Sequence, residues 1–295
     1  MTYYRRKILL ALVERFGGKL KRTDCQKLLL LFCKQSQRNF YDFFPYQFGG
    51  FSFLSYQDKI YLTERGLLKE GEDFELVAAS HSFGSQLTPR DQDLLNAFFG
   101  EIKSCRGNEL IREAYLRYPQ YACRSRVLHQ VLDETEIDRS KIWWNLDESP
   151  CLFSIGYEGR TIDAYLDVLI SNNVKALVDV RNNPTSMKYG FSKDKLQDYV
   201  ERAGVRYYHL SGLGVPSHLR QNLGSFKDYR RLFNLYSSQI LPNQHEAIEA
   251  LSSSMAEHSR IALTCFERDF HFCHRHKITE YLEKQPDFKT KVVHL

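Results

Sequence analysis

The chain has 295 residues, a formal net charge of +5, 43% hydrophobic and 14% aromatic residues, and seven cysteines. That length predicts two domains of ordinary size, and the lack of any apolar run near the roughly 20 residues of a membrane span argues against a helical membrane protein. An odd number of irregularly spaced cysteines, Cys25, Cys33, Cys105, Cys123, Cys151, Cys265 and Cys273, argues against a disulfide framework and for reduced thiols in the cytoplasm. The start is followed by only a short apolar stretch, Ile8 to Val13, with no small-residue cleavage site, so no export signal is expected.

The charge is unevenly spread. Residues 1–69 carry 13 Lys/Arg against 5 Asp/Glu, residues 70–150 carry 9 against 15, and residues 151–295 carry 19 against 16. A basic N-terminal segment is what a nucleic-acid-binding surface looks like, and a solvated basic helix face gives the same count.

In chain order, Ile8, Leu9, Leu12, Val13 and Phe16 recur at helical spacing, and Gly17-Gly18 ends that helix. A second helix follows, capped by Thr23 or Asp24, with Leu28, Leu29, Leu31, Phe32, Cys25 and Cys33 on a buried face. An aromatic segment over 39–52 precedes a third helix from Ser55 to Arg65, and short extended pieces flank Gly71. Three helices and a β-wing resemble a winged helix, which implies DNA contact. The stretch Phe44-Pro45-Tyr46-x-Phe48-Gly49-Gly50-Phe51-Ser52 also resembles the corresponding segment of Panacea-type domains of antitoxins, which implies a protein partner as readily as DNA. The same aromatics equally serve to pack a small core. Further helices are expected from Thr88 to Cys105 and from Asn108 to Leu116. Residues 1–132 are thus read as a mostly helical, winged-helix-like domain, and the acidic stretch 133–150 as a linker.

From residue 151 the periodicity changes to short apolar runs separated by helical segments. Leu152–Ile155, Ala176–Val180, Arg206–Leu210 and Ile261–Phe266 are expected as strands of a mainly parallel sheet flanked by helices, an α/β domain over 151–295. Ligands of such sheets bind beyond the carboxyl ends of the strands. There the sequence places Tyr157, Glu158 and Arg160, then Asp179, Arg181 and Asn183, then His209, and finally Cys265, Glu267, Cys273, His274 and Arg275.

These residues also carry a family resemblance. Ser154-Ile155-Gly156-Tyr157-Glu158-Gly159-Arg160-Thr161, Asp179-Val180-Arg181-x-Asn183-Pro184 with Gly190-Phe191-Ser192-Lys193, Tyr208-His209-Leu210, Leu213-Gly214-x-Pro216 and Cys265-Phe266-Glu267 with Cys273-His274-Arg275 resemble the family numbered 488 among the domains of unknown function. The resemblance covers about residues 151–285 and implies no established reaction.

Tyr157, Arg160, Arg181, Asn183, His209, Lys193, His274 and Arg275 are the expected anion- or nucleic-acid-binding residues, because guanidinium forks match phosphate oxygens. Glu158, Asp179 and Glu267 are acid/base candidates, and Cys273 is a candidate reactive thiol beside His274 and Arg275. Salt bridging between Asp179 and Arg181, or between Glu158 and Arg160, and burial of the thiols as core residues are the structural alternatives. The Cys265-x7-Cys273 spacing matches no recognised zinc pair, so no metal is expected, and no cofactor is identified. An Asp-Val-Arg after a strand and a later cysteine loop resemble rhodanese-type sulfur transfer, but nine residues separate Cys265 from Arg275. The expectation is an enzyme acting on nucleic acid or a nucleotide, by hydrolysis or base modification. The alternatives are a thiol-dependent enzyme of small molecules, and a non-catalytic regulator that binds DNA or a protein and senses a nucleotide.

Overall fold

The computed structural model describes residues 3–77, 82–220 and 223–295, and the chain divides into two compact units, Met1–Trp144 and Asn145–Leu295. Among the described residues no helix is long and apolar enough to cross a membrane.

In the first unit α1 (Tyr4–Arg15) buries Ile8 to Val13 and ends at Gly17 and Gly18, whose φ of 100° and 79° suit glycine. β1 (Lys19–Leu20) leads into α2 (Arg22–Gln35), buried from Asp24 to Cys33. Neither Thr23 nor Asp24 caps α2, which begins behind Lys21 with no side-chain cap; the Asp24 carboxylate instead accepts the Gly107 amide at 3.0 Å. The aromatic segment forms a hairpin of β2 (Phe44–Tyr46) and β3 (Gly49–Phe51). α3 (Phe53–Glu64) follows, starting at a Ser52 cap ahead of the expected Ser55. Phe44, Phe51 and Phe53 are buried and meet edge to face, so this segment packs the unit's core. β4 (Phe74–Glu75) returns from Gly71 to pair antiparallel with β1. α4 (Pro89–Ile102), capped by Thr88, α5 (Gly107–Arg117), α6 (Leu128–Val131) and α7 (Glu134–Lys141) complete the unit.

The basic surplus of this unit is largely engaged internally. Arg5 and Arg6 bind Asp58, Lys19 and Lys69 bind Glu75, Arg38 binds Asp91, and Lys27 and Lys59 donate to the Gly50 and Gly71 carbonyls. Of the stretch 133–150, residues 133–144 belong to the first unit, while 145–150 are exposed and without helix or strand. Asp133 and Glu136 form a capping box on α7, and Trp144 Nε1 donates to the Pro119 carbonyl at 2.7 Å. In the second unit, Arg260 Nη1 donates to Asp147 Oδ2 at 2.9 Å and to the Ser149 carbonyl at 2.8 Å.

The second unit is built on β5 (Cys151–Gly156), β6 (Ala176–Asp179), β7 (Arg206–His209), β8 (Arg260–Cys265) and β9 (Lys291–His294). All pairs are parallel, in the order β7-β6-β8-β5-β9. The helices are α8 (Ile162–Ser171), α9 (Lys193–Arg202), α10 (Phe226–Leu235), α11 (His245–Glu257) and α12 (Arg275–Glu283). β5, β6 and β8 are buried along their whole length, as strands covered on both faces must be. After β5 the chain passes over β8 to reach β6, and after β8 it passes over β5 to reach β9. Connections from two adjacent strands therefore leave in opposite directions, which makes the carboxyl ends of β5 and β8 the switch point of the sheet.

Candidate active site

At the switch point stands Gly156, where a Cβ would lie 1.8 Å from the Glu267 carbonyl oxygen, so the loops after β5 and β8 meet only because glycine stands there. Beyond it the Glu158 amide donates to the Phe266 carbonyl at 2.9 Å, and the Arg268 amide donates to the otherwise exposed Glu158 carboxylate at 3.1 Å.

Cys265 ends β8, one short turn over Phe270–Phe272 reverses the chain, and Cys273, His274 and Arg275 pass back beneath the strand end as α12 begins. These four residues are at most 1% exposed. His274 Nδ1 lies 4.0 Å from Cys265 Sγ and 3.9 Å from Cys273 Sγ, while Nε2 is 3.1 Å from the Val180 carbonyl. A carbonyl only accepts, so Nε2 carries a proton and Nδ1 is the ring nitrogen that faces the thiols. The hydrogen bond from Cys273, with His274 close by, holds the Cys265 thiol well below its usual range. Burial, and then Cys265, push Cys273 up.

Arg275 sits against this cluster. Its Nε donates to Cys273 Sγ at 3.2 Å and its Nη2 to the Glu267 carbonyl at 2.7 Å. Nη1 is buried with no partner among the described residues, and so are Arg160 Nε and Glu267 Oε2. Burial, and then the charges of Arg268 and Arg275, lower the pKa of Arg160, and burial raises that of Glu267. A cavity of about 260 Å³ opens here, with Arg220, Tyr229, Phe233, Glu267, Phe272 and His274 on its wall.

Of the residues expected from sequence, Arg160, Glu267, Cys273, His274 and Arg275 are drawn together with Cys265. Asp179 and Arg181 face a separate network. The Asp179 carboxylate accepts from Arg181 Nε at 2.8 Å, from the Arg181 amide at 3.1 Å and from the Tyr207 hydroxyl at 2.7 Å. Arg181 Nη1 donates to the Tyr157 hydroxyl at 3.0 Å and to the Phe191 carbonyl at 2.7 Å. Tyr157 stacks on Phe191 with centroids 4.3 Å apart. These side chains shape the loop after β6 from within. Asn183 is exposed and folds its own turn by accepting from Thr185, Lys193 is an exposed first residue of α9, and His209 Nε2 meets the Arg181 carbonyl at 2.9 Å, two strands from β8. Arg220 is the cavity residue that the sequence did not single out, because it lies in a segment without a motif.

Residues 161–282 match the family model described as "Domain of unknown function DUF488". The matched segment runs from α8 to α12 and includes Cys265, Glu267, Cys273, His274 and Arg275. No curated protein and no solved structure matches the chain.

Proposed function

Taking the C-terminal half as a domain of the DUF488 family, we propose that it is an enzyme acting on a phosphate-bearing substrate, a nucleotide or a nucleic-acid strand, at the carboxyl ends of the strands beside the cavity of Arg220, Glu267 and His274. The observation that carries this reading is Arg275, a guanidinium with no exposure, no carboxylate partner among the described residues and one nitrogen left unpaired. A second cation, Arg160, stands near enough for the two charges to repel and also has an unpaired nitrogen. A buried guanidinium with one nitrogen unpartnered, beside a half-buried one in the same condition, favours an anionic ligand, since a buried polar group without a partner is costly. Arg160 and Arg275 bind the phosphate, Arg220 meets it from across the cavity, and the free carboxylate oxygen of Glu267 takes or gives a proton. The order α1–β1–α2–β2–β3–α3–β4, with β4 paired to β1, supports a winged-helix-like reading of the N-terminal unit in which a hairpin is inserted between α2 and α3, the module left for nucleic acid or a partner protein.

The test is fluorescence anisotropy or calorimetry on the full chain with inorganic phosphate, a nucleotide and single-stranded oligonucleotides across a salt series. Arg160→Gln should weaken binding about ten- to hundredfold, the equivalent of one charge-assisted hydrogen bond. No binding at low salt, or binding that ignores Arg160→Gln, would overturn the proposal.

A further inference from the structure

We propose that Cys265, Cys273 and His274 form a binding site for a thiophilic divalent ion, zinc above all, with its fourth position open to the cavity beside Glu267. The three ligand atoms, two Sγ and one Nδ1, all lie within 4.8 Å of one another, and all three residues are buried. Zinc at about 2.3 Å from sulfur and about 2.0–2.1 Å from nitrogen, with tetrahedral angles, places sulfur and nitrogen roughly 3.6 Å apart. The observed separations of 4.0 and 3.9 Å need to shrink by only a few tenths of an ångström to close on an ion. They are also at the outer limit for a hydrogen bond involving sulfur, so the gap between three soft donors is poorly filled without one.

The surroundings are those of a metal ligand set. Metal-binding histidines give their second ring proton to a carbonyl or carboxylate, which fixes the ring and aims the other lone pair at the ion. His274 does this through Nε2 and the Val180 carbonyl at 3.1 Å. A metal-bound thiolate retains lone pairs for hydrogen bonds, and Arg275 Nε supplies one to Cys273 Sγ at 3.2 Å. Charge points to what occupies the fourth position. Zinc with two thiolates is neutral, which leaves the buried Arg275 cation unbalanced, so an anionic fourth ligand, hydroxide or a substrate oxygen, completes the site. His274 and Glu267 both lie on the cavity wall, which is the side from which a fourth ligand would enter. Zinc of this coordination lowers the pKa of a bound water and presents hydroxide as a nucleophile. The metal therefore deepens the proposed function toward hydrolytic chemistry, and in that respect rests on it.

The experiment uses full-length protein purified without chelators from zinc-supplied cells. About one zinc per chain by elemental analysis is expected, as are the visible bands of tetrahedral cobalt with thiolate ligands when Co²⁺ replaces it. Cys265→Ala, Cys273→Ala and His274→Gln should each abolish the cobalt spectrum. Because a buried variant can fail to fold, the wild type is also alkylated with and without one equivalent of zinc, and zinc should protect Cys265 and Cys273 but not Cys105. Absence of bound metal together with unchanged alkylation overturns the site, as does a Cys265–Cys273 disulfide that forms equally fast with zinc present. Phosphate binding measured on the same sample reports on Arg160 and Arg275 separately, so loss of the anion site and loss of the metal site are told apart.

Discussion

Lys27 shows at the scale of one residue how burial changes chemistry. It is 1% exposed, its ammonium donates to the Gly50 carbonyl at 2.6 Å, and burial brings its pKa down to about 7. Between about pH 7 and the usual lysine range the unfolded chain holds a proton that the folded chain has released. Stability should therefore rise with pH in that window, by up to about 1.4 kcal/mol per unit, and be flat below it. The buried thiols Cys25 and Cys33, both pushed up by burial, act in the opposite direction once unfolded thiols ionise near pH 9. Urea unfolding from pH 6 to 8.5 should show the rise in the wild type and its loss in Lys27→Met; equal slopes would refute the assignment. Gly156→Ala should cost about 1–3 kcal/mol through overpacking and weaken phosphate binding by displacing Glu267. Gly100→Ala, in α4 with open space around it, should gain about 0.5–1 kcal/mol instead. The sequence exposed which residue types cluster after each strand, but not how they divide. Asp179 and Arg181 are adjacent in a motif and also in space, and only the Tyr207 hydroxyl and the Phe191 carbonyl reveal that their hydrogen bonds are satisfied inside the loop. Nor could spacing reveal the metal-like cluster, because the turn over Phe270–Phe272 brings Cys273 back to Cys265 by tertiary packing.

Among elements, α1 and α3 are joined by Asp58, which is wholly buried and accepts from Arg5 Nε and Arg6 Nε at 2.6 Å each and from the Tyr41 hydroxyl at 3.0 Å. Asp58→Ala leaves Arg6 buried without its counter-charge, and the loss should be about 3–5 kcal/mol in urea unfolding. A loss under about 1 kcal/mol would show that water enters and solvates the arginines. Four strands of the parallel sheet were legible because buried central strands read as continuous apolar runs between helical segments. β9 was not. Its sequence, Lys-Val-Val-His, is short and polar at both ends, and only pairing with β5 makes it a strand. The helix over Glu134–Lys141 was hidden in the same way, since acidic composition masked the capping box and the single buried Ile137.

For the whole molecule, the charge count overstates what a polyanion would meet. With Arg5 and Arg6 on Asp58, Lys27 and Lys59 on backbone carbonyls, and Lys19, Arg38 and Lys69 in surface ion pairs, the chain should neutralise fewer phosphates than its cations suggest. Binding to single-stranded DNA should then fall with salt at a log–log slope no steeper than about −3, at about 0.7 per phosphate. A slope beyond about −5 would reveal a basic surface that this internal pairing does not account for.

The sheet order also governs when the C-terminal unit can form during synthesis. β5 is its first strand to be made, yet both its neighbours are its last, with Gly156 opposite Cys265 and Ser154 opposite His294. An apolar strand with both edges open must wait until residues 260–294 have left the ribosome. Such distant pairing slows folding and leaves the nascent chain exposed to aggregation. The paired ends of β5 and β8 are thus assembled late, from segments that emerge at opposite ends of the unit's synthesis.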